Sequence, residues 1–174
     1  MGIQFETDYN METLTAMAKV LRKTVRKKRS RRVHIFAAVV LILGLLTILA
    51  TTAGGEPLGA SGVVTLLAIL VVILVSLFED KLNAWFARKR LLPGTEHAAA
   101  TFEEDGYVSA TSMSESKFSY AQIVAVAETA RYFVFALSSH HTQAYDKRTI
   151  RGGSVEDFRA FIAEKTGKLV ENIK

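Results

Sequence analysis

The stretch "YDKRTIR", residues 145–151, brings Lys147, Arg148 and Arg151 close together in the chain. Three cations near one strand edge suit a phosphate headgroup or an acidic peptide, because ammonium and guanidinium groups make charge-assisted bonds to such oxygens. The plainer alternative is a solvated edge, where lysine discourages sheet pairing. His140-His141 raises metal ligation. Zinc wants three or four ligands at suitable spacing, and only His34 and His97 remain in a chain without cysteine. A polar hairpin turn is the simpler reading.

Other chemistry is excluded or weak. Without cysteine there is no disulfide, thiolate nucleophile or Cys-type zinc site. Glu103, Glu104 and Asp105 stand side by side before Gly106; catalytic carboxylates need separate environments, so a solvated loop is expected. No serine has the surroundings of a nucleophile elbow. Gly54, Gly55, Gly59 and Gly62 do not precede a Lys-Ser/Thr pair and form no phosphate loop. We therefore expect no enzyme, no catalytic residue, no metal and no cofactor.

The elements that must position these residues begin with two apolar runs. Residues 33–53 carry no charge, and a helix needs roughly 20 apolar residues to cross ~30 Å of hydrocarbon. Residues 54–62, "GGEPLGASG", break the helix. Residues 63–78 form the second run, and Leu82, Trp85 and Phe86 extend it into the interface. Glu56 is the only charge between residues 33 and 78. A signal peptide would follow a short basic start rather than 32 residues. Two such runs are also too much core for a soluble chain of 174 residues. The spans lack ionisable groups apart from His34 at the edge, which argues against a transporter acting alone.

Charge is segregated along the chain: +6 over residues 1–32, +1 over 33–94 and −2 over 95–174. Arg26, Lys27, Lys28, Arg29, Arg31 and Arg32 precede the first run; Arg88, Lys89 and Arg90 follow the second; the loop between has no Lys or Arg. This asymmetry predicts both termini in the cytoplasm. The same cations can hold anionic lipid headgroups at ~1 kcal/mol each near the surface. The basic balance lies beside the apolar runs rather than on a folded domain, which argues against nucleic acid.

Three regions follow. Residues 1–32 hold a strand, whose Ile3 and Phe5 alternate with polar neighbours, and an amphipathic, basic helix. Thr7, Asp8 or Asn10 caps that helix, and it runs on into the basic block. Residues 33–86 form a transmembrane hairpin. Residues 95–174 form a small antiparallel β domain. Its strands are expected on both sides of Asp105-Gly106 and over residues 118–126, 131–138 and 142–150. Ser154 and Asp157 then cap a C-terminal helix. The fold class expected is an α+β membrane protein.

Several segments resemble the YcxB-like family of bacterial membrane proteins: "IQFETDY" at residues 3–9, "FSYAQIVAVAETARYFVFAL" at 118–137, "YDKRTI" at 145–150 and "VEDFRAFI" at 155–162. Two positions depart, Asp146 where the family usually has proline and Tyr120 where it often has tryptophan. The resemblance implies a pleckstrin-homology-like domain in residues 95–174, with the N-terminal strand joining its sheet. It also implies a location in the bacterial inner membrane. The function expected is a non-enzymatic, membrane-anchored binding or scaffold protein that presents this domain at the cytoplasmic face. Its partners would be the lipid bilayer, anionic headgroups and a protein, with a homo-oligomer allowed and no nucleic acid. The alternative is an accessory subunit of a transporter or envelope complex that binds through its two spans.

Overall fold

Ile3, Phe5 and Thr7 are buried while Gln4 and Asp8 face solvent, so Ile3–Asp8 forms strand β1 with one dry face. In the computed structural model, which describes residues 2–55 and 57–174, helix α1 follows at Met11–Lys23. Asn10 is its cap: its Oδ1 accepts from the amides of Glu12 (2.9 Å) and Thr13 (3.1 Å). The expected run of α1 into the basic block does not occur. Thr24 Oγ1 donates to the Val20 carbonyl and the Arg26 amide to that of Leu21, which closes the helix. The chain bends there, and α2 starts afresh at Lys27–Ala53.

Helix α3, Ala60–Leu77, returns alongside α2. Neither helix has a buried residue, and both are long and apolar enough to cross a membrane. They meet at Gly44, where a Cβ would lie 3.1 Å from Ile69 Cδ1. Glu56, in the turn between them, lies outside the described residues. After a break at Phe78, helix α4 covers Glu79–Lys89 and packs on α1. Ala84 is buried at that contact, and Arg22 grips Asp80 with Nε and Nη2 at 2.7 and 2.6 Å.

The remaining chain forms strands β2 (His97–Phe102), β3 (Tyr107–Thr111), β4 (Glu115–Phe118), β5 (Ala125–Glu128), β6 (Tyr132–Ala136) and β7 (Thr142–Asp146). Helix α5 (Val155–Thr166) and strand β8 (Val170–Asn172) complete it. One sheet has the order β1-β2-β3-β4 and the other β7-β6-β5-β8. The first is antiparallel, and β1 pairs with β2 from Ile3↔Phe102 to Asp8↔His97, across the whole helical hairpin. Among the described residues the fold is α+β, with five α-helices and two four-stranded sheets.

Three expectations need correction. Residues 118–126 are not one strand: Ser119 caps a 3-10 turn at Tyr120–Gln122, which separates β4 from β5. The strand expected over residues 142–150 stops at Asp146, because the Asp146 carboxylate accepts from the Arg148 amide and starts another 3-10 turn, Lys147–Thr149. Helix α5 does not finish the fold, since β8 follows it and lies parallel to β5.

Helix α5 packs Phe158 and Ile162 into the core with Phe5, Phe102, Phe133 and Phe135. Near Gly152 the segment after β7 is tied to β1 by a bridge from Arg151 to Gln4. Gly152 has φ +84°, and a Cβ there would meet the Gly2 carbonyl oxygen at 2.6 Å. Gly152→Ala should therefore destabilise the domain by about 1–2 kcal/mol from the left-handed backbone alone, and the clash adds to it. Thermal melting beside Gly153→Ala, whose Cβ would find 3.4 Å of room to Ile3, checks this.

Candidate functional site

The three cations first considered as a binding site do not converge. Lys147 Nζ donates to Glu128 Oε2 (2.8 Å) and to the Thr129 carbonyl (2.7 Å), and lies over the Phe133 ring. Arg159 completes the cluster, with Nε and Nη2 each 3.0 Å from Glu128. The Glu128 side chain is 7% exposed and that of Lys147 13%. Burial alone would raise the Glu128 carboxyl, but the bonds from Arg159 and Lys147 outweigh it and hold the group below the usual carboxylate range. Arg148 folds back on Asp146 (3.0 Å) and Arg151 approaches Glu6 (3.4 Å). Arg148 and Arg151 remain 64% and 69% exposed, but each faces its own carboxylate. Lys147 is thus a structural member of the β domain, tying the end of β7 to β5 and α5.

The other charged and aromatic features of the sequence also find partners. Arg131 bridges Asp146 (2.9 Å) and Glu12, which fastens the first turn of α1 to the second sheet. Glu104, in the acidic turn before Gly106, meets Lys165. Tyr120 Oη donates to the carbonyls of Glu103 (2.6 Å) and Gly106 (3.0 Å), holding that turn closed. His141 stacks edge-on against Phe118.

A different set of residues gathers at the foot of the helical hairpin. There α1, the first turns of α2, the length of α4 and the β6–β7 turn enclose an open groove of about 730 Å³. Its apolar floor includes Leu14, Met17, Leu21, Val33 and Phe86. Arg22, Arg26, Arg29 and Arg90 stand on its walls with His140 and Glu79. The spacing explains this face: positions 26, 29, 30 and 33 lie along one side of a helix, so Arg31 and Arg32 point elsewhere and do not line it.

The groove's cations differ in their bonding. Arg22 is matched by Asp80 and by Glu79 at 3.7 Å. Arg26 Nε donates to the Ser139 carbonyl (2.6 Å), and Nη2 lies 3.0 Å from His140 Nδ1. Neither partner is a carboxylate. Burial, with Arg29 nearby, holds the Arg26 guanidinium below its ordinary value. Among the described residues, no acidic side chain is ion-paired with Arg26, Arg29 or Arg90. The arrangement can bind an anion against an apolar surface. Sequence reading placed Arg26, Arg29 and Arg90 beside the apolar runs but not in one site. The bend between α1 and α2, which brings them together, has no clear signature.

No curated protein and no solved structure matches this chain. The family model described as YcxB-like protein matches residues 102–162, which run from the end of β2 to Ile162 in α5 and leave out β1 and the four preceding helices. Over that C-terminal region the chain is similar to the YcxB-like family.

Proposed function

We propose that this is a non-enzymatic binding protein of the bacterial inner membrane. Helices α2 and α3 cross the bilayer as a hairpin, both termini are cytoplasmic, and the α/β part folds as a pleckstrin-homology-like domain held at the membrane face. One observation carries the reading. The β1–β2 pairing puts the chain before α2 and the chain after α3 into the same sheet. Both flanks of the apolar pair therefore lie on one side of whatever it crosses, and the Lys/Arg residues lie on that side too. The unburied faces of α2 and α3 suit lipid. Two four-stranded sheets with α5 packed on their common core suit the domain assignment. The buried polar residues Thr7, Thr13, Glu128, Gln143 and Asp146 make hydrogen bonds within the fold, as expected of structural rather than catalytic groups.

The lack of cysteine makes the topology directly testable. A membrane-impermeant maleimide added to intact cells should label Gly59→Cys, where a Cβ meets open space, and should label Ser116→Cys in β4 only after lysis. The reverse pattern would overturn the orientation, and a chain monodisperse without detergent would overturn the membrane reading.

A further inference from the structure

We infer that the groove at the foot of the hairpin binds a single anionic glycerophospholipid, its phosphate among Arg26, Arg29 and Arg90 and its acyl chains along the apolar floor. This rests on the membrane reading above and names the ligand of that face. Charge is the first argument. Arg22 is neutralised by Asp80, but Arg26, Arg29 and Arg90 face the groove without an acidic partner among the described residues. Exposed solvated arginines would be unremarkable. Here Arg26 is partly buried and held by Ser139 and His140, and the nearby Glu79 is ion-paired with Arg22 (3.7 Å) and His34 (3.6 Å) instead. A partly buried cation that shares its nearest carboxylate with two other groups favours an external anion.

The start of α2 supplies the second argument. Its first turn carries Lys27, Lys28 and Arg29, has no acidic residue and has no side-chain cap. Cations at a helix N-terminus oppose the macrodipole, and an anion beside them relieves both the dipole and the mutual repulsion. The third argument selects a lipid over a free anion. Leu21, Val33 and Phe86 make the floor apolar, and Val33 is also the first residue of the uncharged run, so the groove opens where α2 would enter hydrocarbon. Inorganic phosphate would leave that floor wet. An amphiphile covers it while its headgroup meets the arginines.

The test uses the full chain in maltoside micelles, titrated with dioctanoyl phosphatidylglycerol, dioctanoyl phosphatidylcholine or inorganic phosphate, and read as a thermal shift. Phosphatidylglycerol should stabilise the chain saturably, and the other two should not at the same concentrations. Arg29→Gln with Arg90→Gln removes two cations that make no ion pair among the described residues, so the fold should survive. It should weaken the phosphatidylglycerol response by about 30-fold. Arg31→Gln with Arg32→Gln removes the same charge outside the groove and should change it by less than about 2-fold. Equal responses to the two lipids, equal losses in the two double variants, or an equal response to phosphate would each overturn the proposal. A well-folded chain in micelles that ignores phosphatidylglycerol defeats the lipid site alone. A chain that needs no micelle defeats the membrane reading on which it rests.

Discussion

Phe158→Ala is expected to lower the unfolding free energy of the α/β domain by about 3–5 kcal/mol. Phe158 is fully buried and reaches both sheets from α5. Its ring centroid lies 4.7 Å from Phe5, 4.8 Å from Phe102 and 5.0 Å from Phe133, all in edge-on geometry. Edge-to-face pairs contribute beyond area burial, and alanine would remove three together and leave a cavity in a rigid setting. Because Phe5 comes from β1 and Phe133 from β6, the loss should loosen both sheets in one transition. Near-UV circular dichroism on heating in detergent checks this. A fall in melting temperature of only a degree or two would mean that the aromatic cluster does not carry the core.

Glu128→Gln is expected to cost about 3 kcal/mol or more, as breaking a buried ion pair from one side does. The substitution keeps the shape but leaves Lys147 and Arg159 facing a neutral amide, with Lys147 almost enclosed. The acid limb should change as well. The folded Glu128 carboxyl lies below its unfolded value, so its contribution is present above about pH 4.3 and is lost as the pH falls through the lower folded value. The variant should lack that part of the loss. Replacing Glu128, Lys147 and Arg159 together by Leu, Met and Met should cost less than Glu128→Gln alone, because no buried charge is stranded. Unfolding in urea between pH 3 and 7 measures all three statements. Equal stability of wild type and Glu128→Gln at pH 7 would show that the cluster is solvated.

Local signals in the sequence were readable where a single element explains them. The uncharged runs, the Ser154–Asp157 capping box and the strand within residues 131–138 each rest on neighbouring residues, and of the three candidate caps Thr7, Asp8 and Asn10 the structure selects Asn10. What escaped depends on competition or on distance. Lys147 and Arg148 look like strand residues until the Asp146 side chain captures the Arg148 amide. Strand β8 has three residues and little alternation, so its pairing with β5 comes from where α5 delivers it. The basic groove draws on α1, α2, α4 and the β6–β7 turn. No spacing rule links Arg29 to Arg90 or His140, although each sits in a segment that the charge pattern or the turn pattern already marked.

The pairing of β1 with β2 also sets an order of assembly. At ordinary synthesis rates the ribosome needs roughly 5–20 seconds to make the residues between Asp8 and His97. Until then β1 has no partner and Phe5 has no core to enter. Under the proposed topology, both apolar helices leave the ribosome before the first strand can close its sheet. A nascent chain with only one of the two helices across would hold β1 and β2 on opposite sides of the bilayer. It could never complete the domain, so insertion of both helices becomes a precondition for folding.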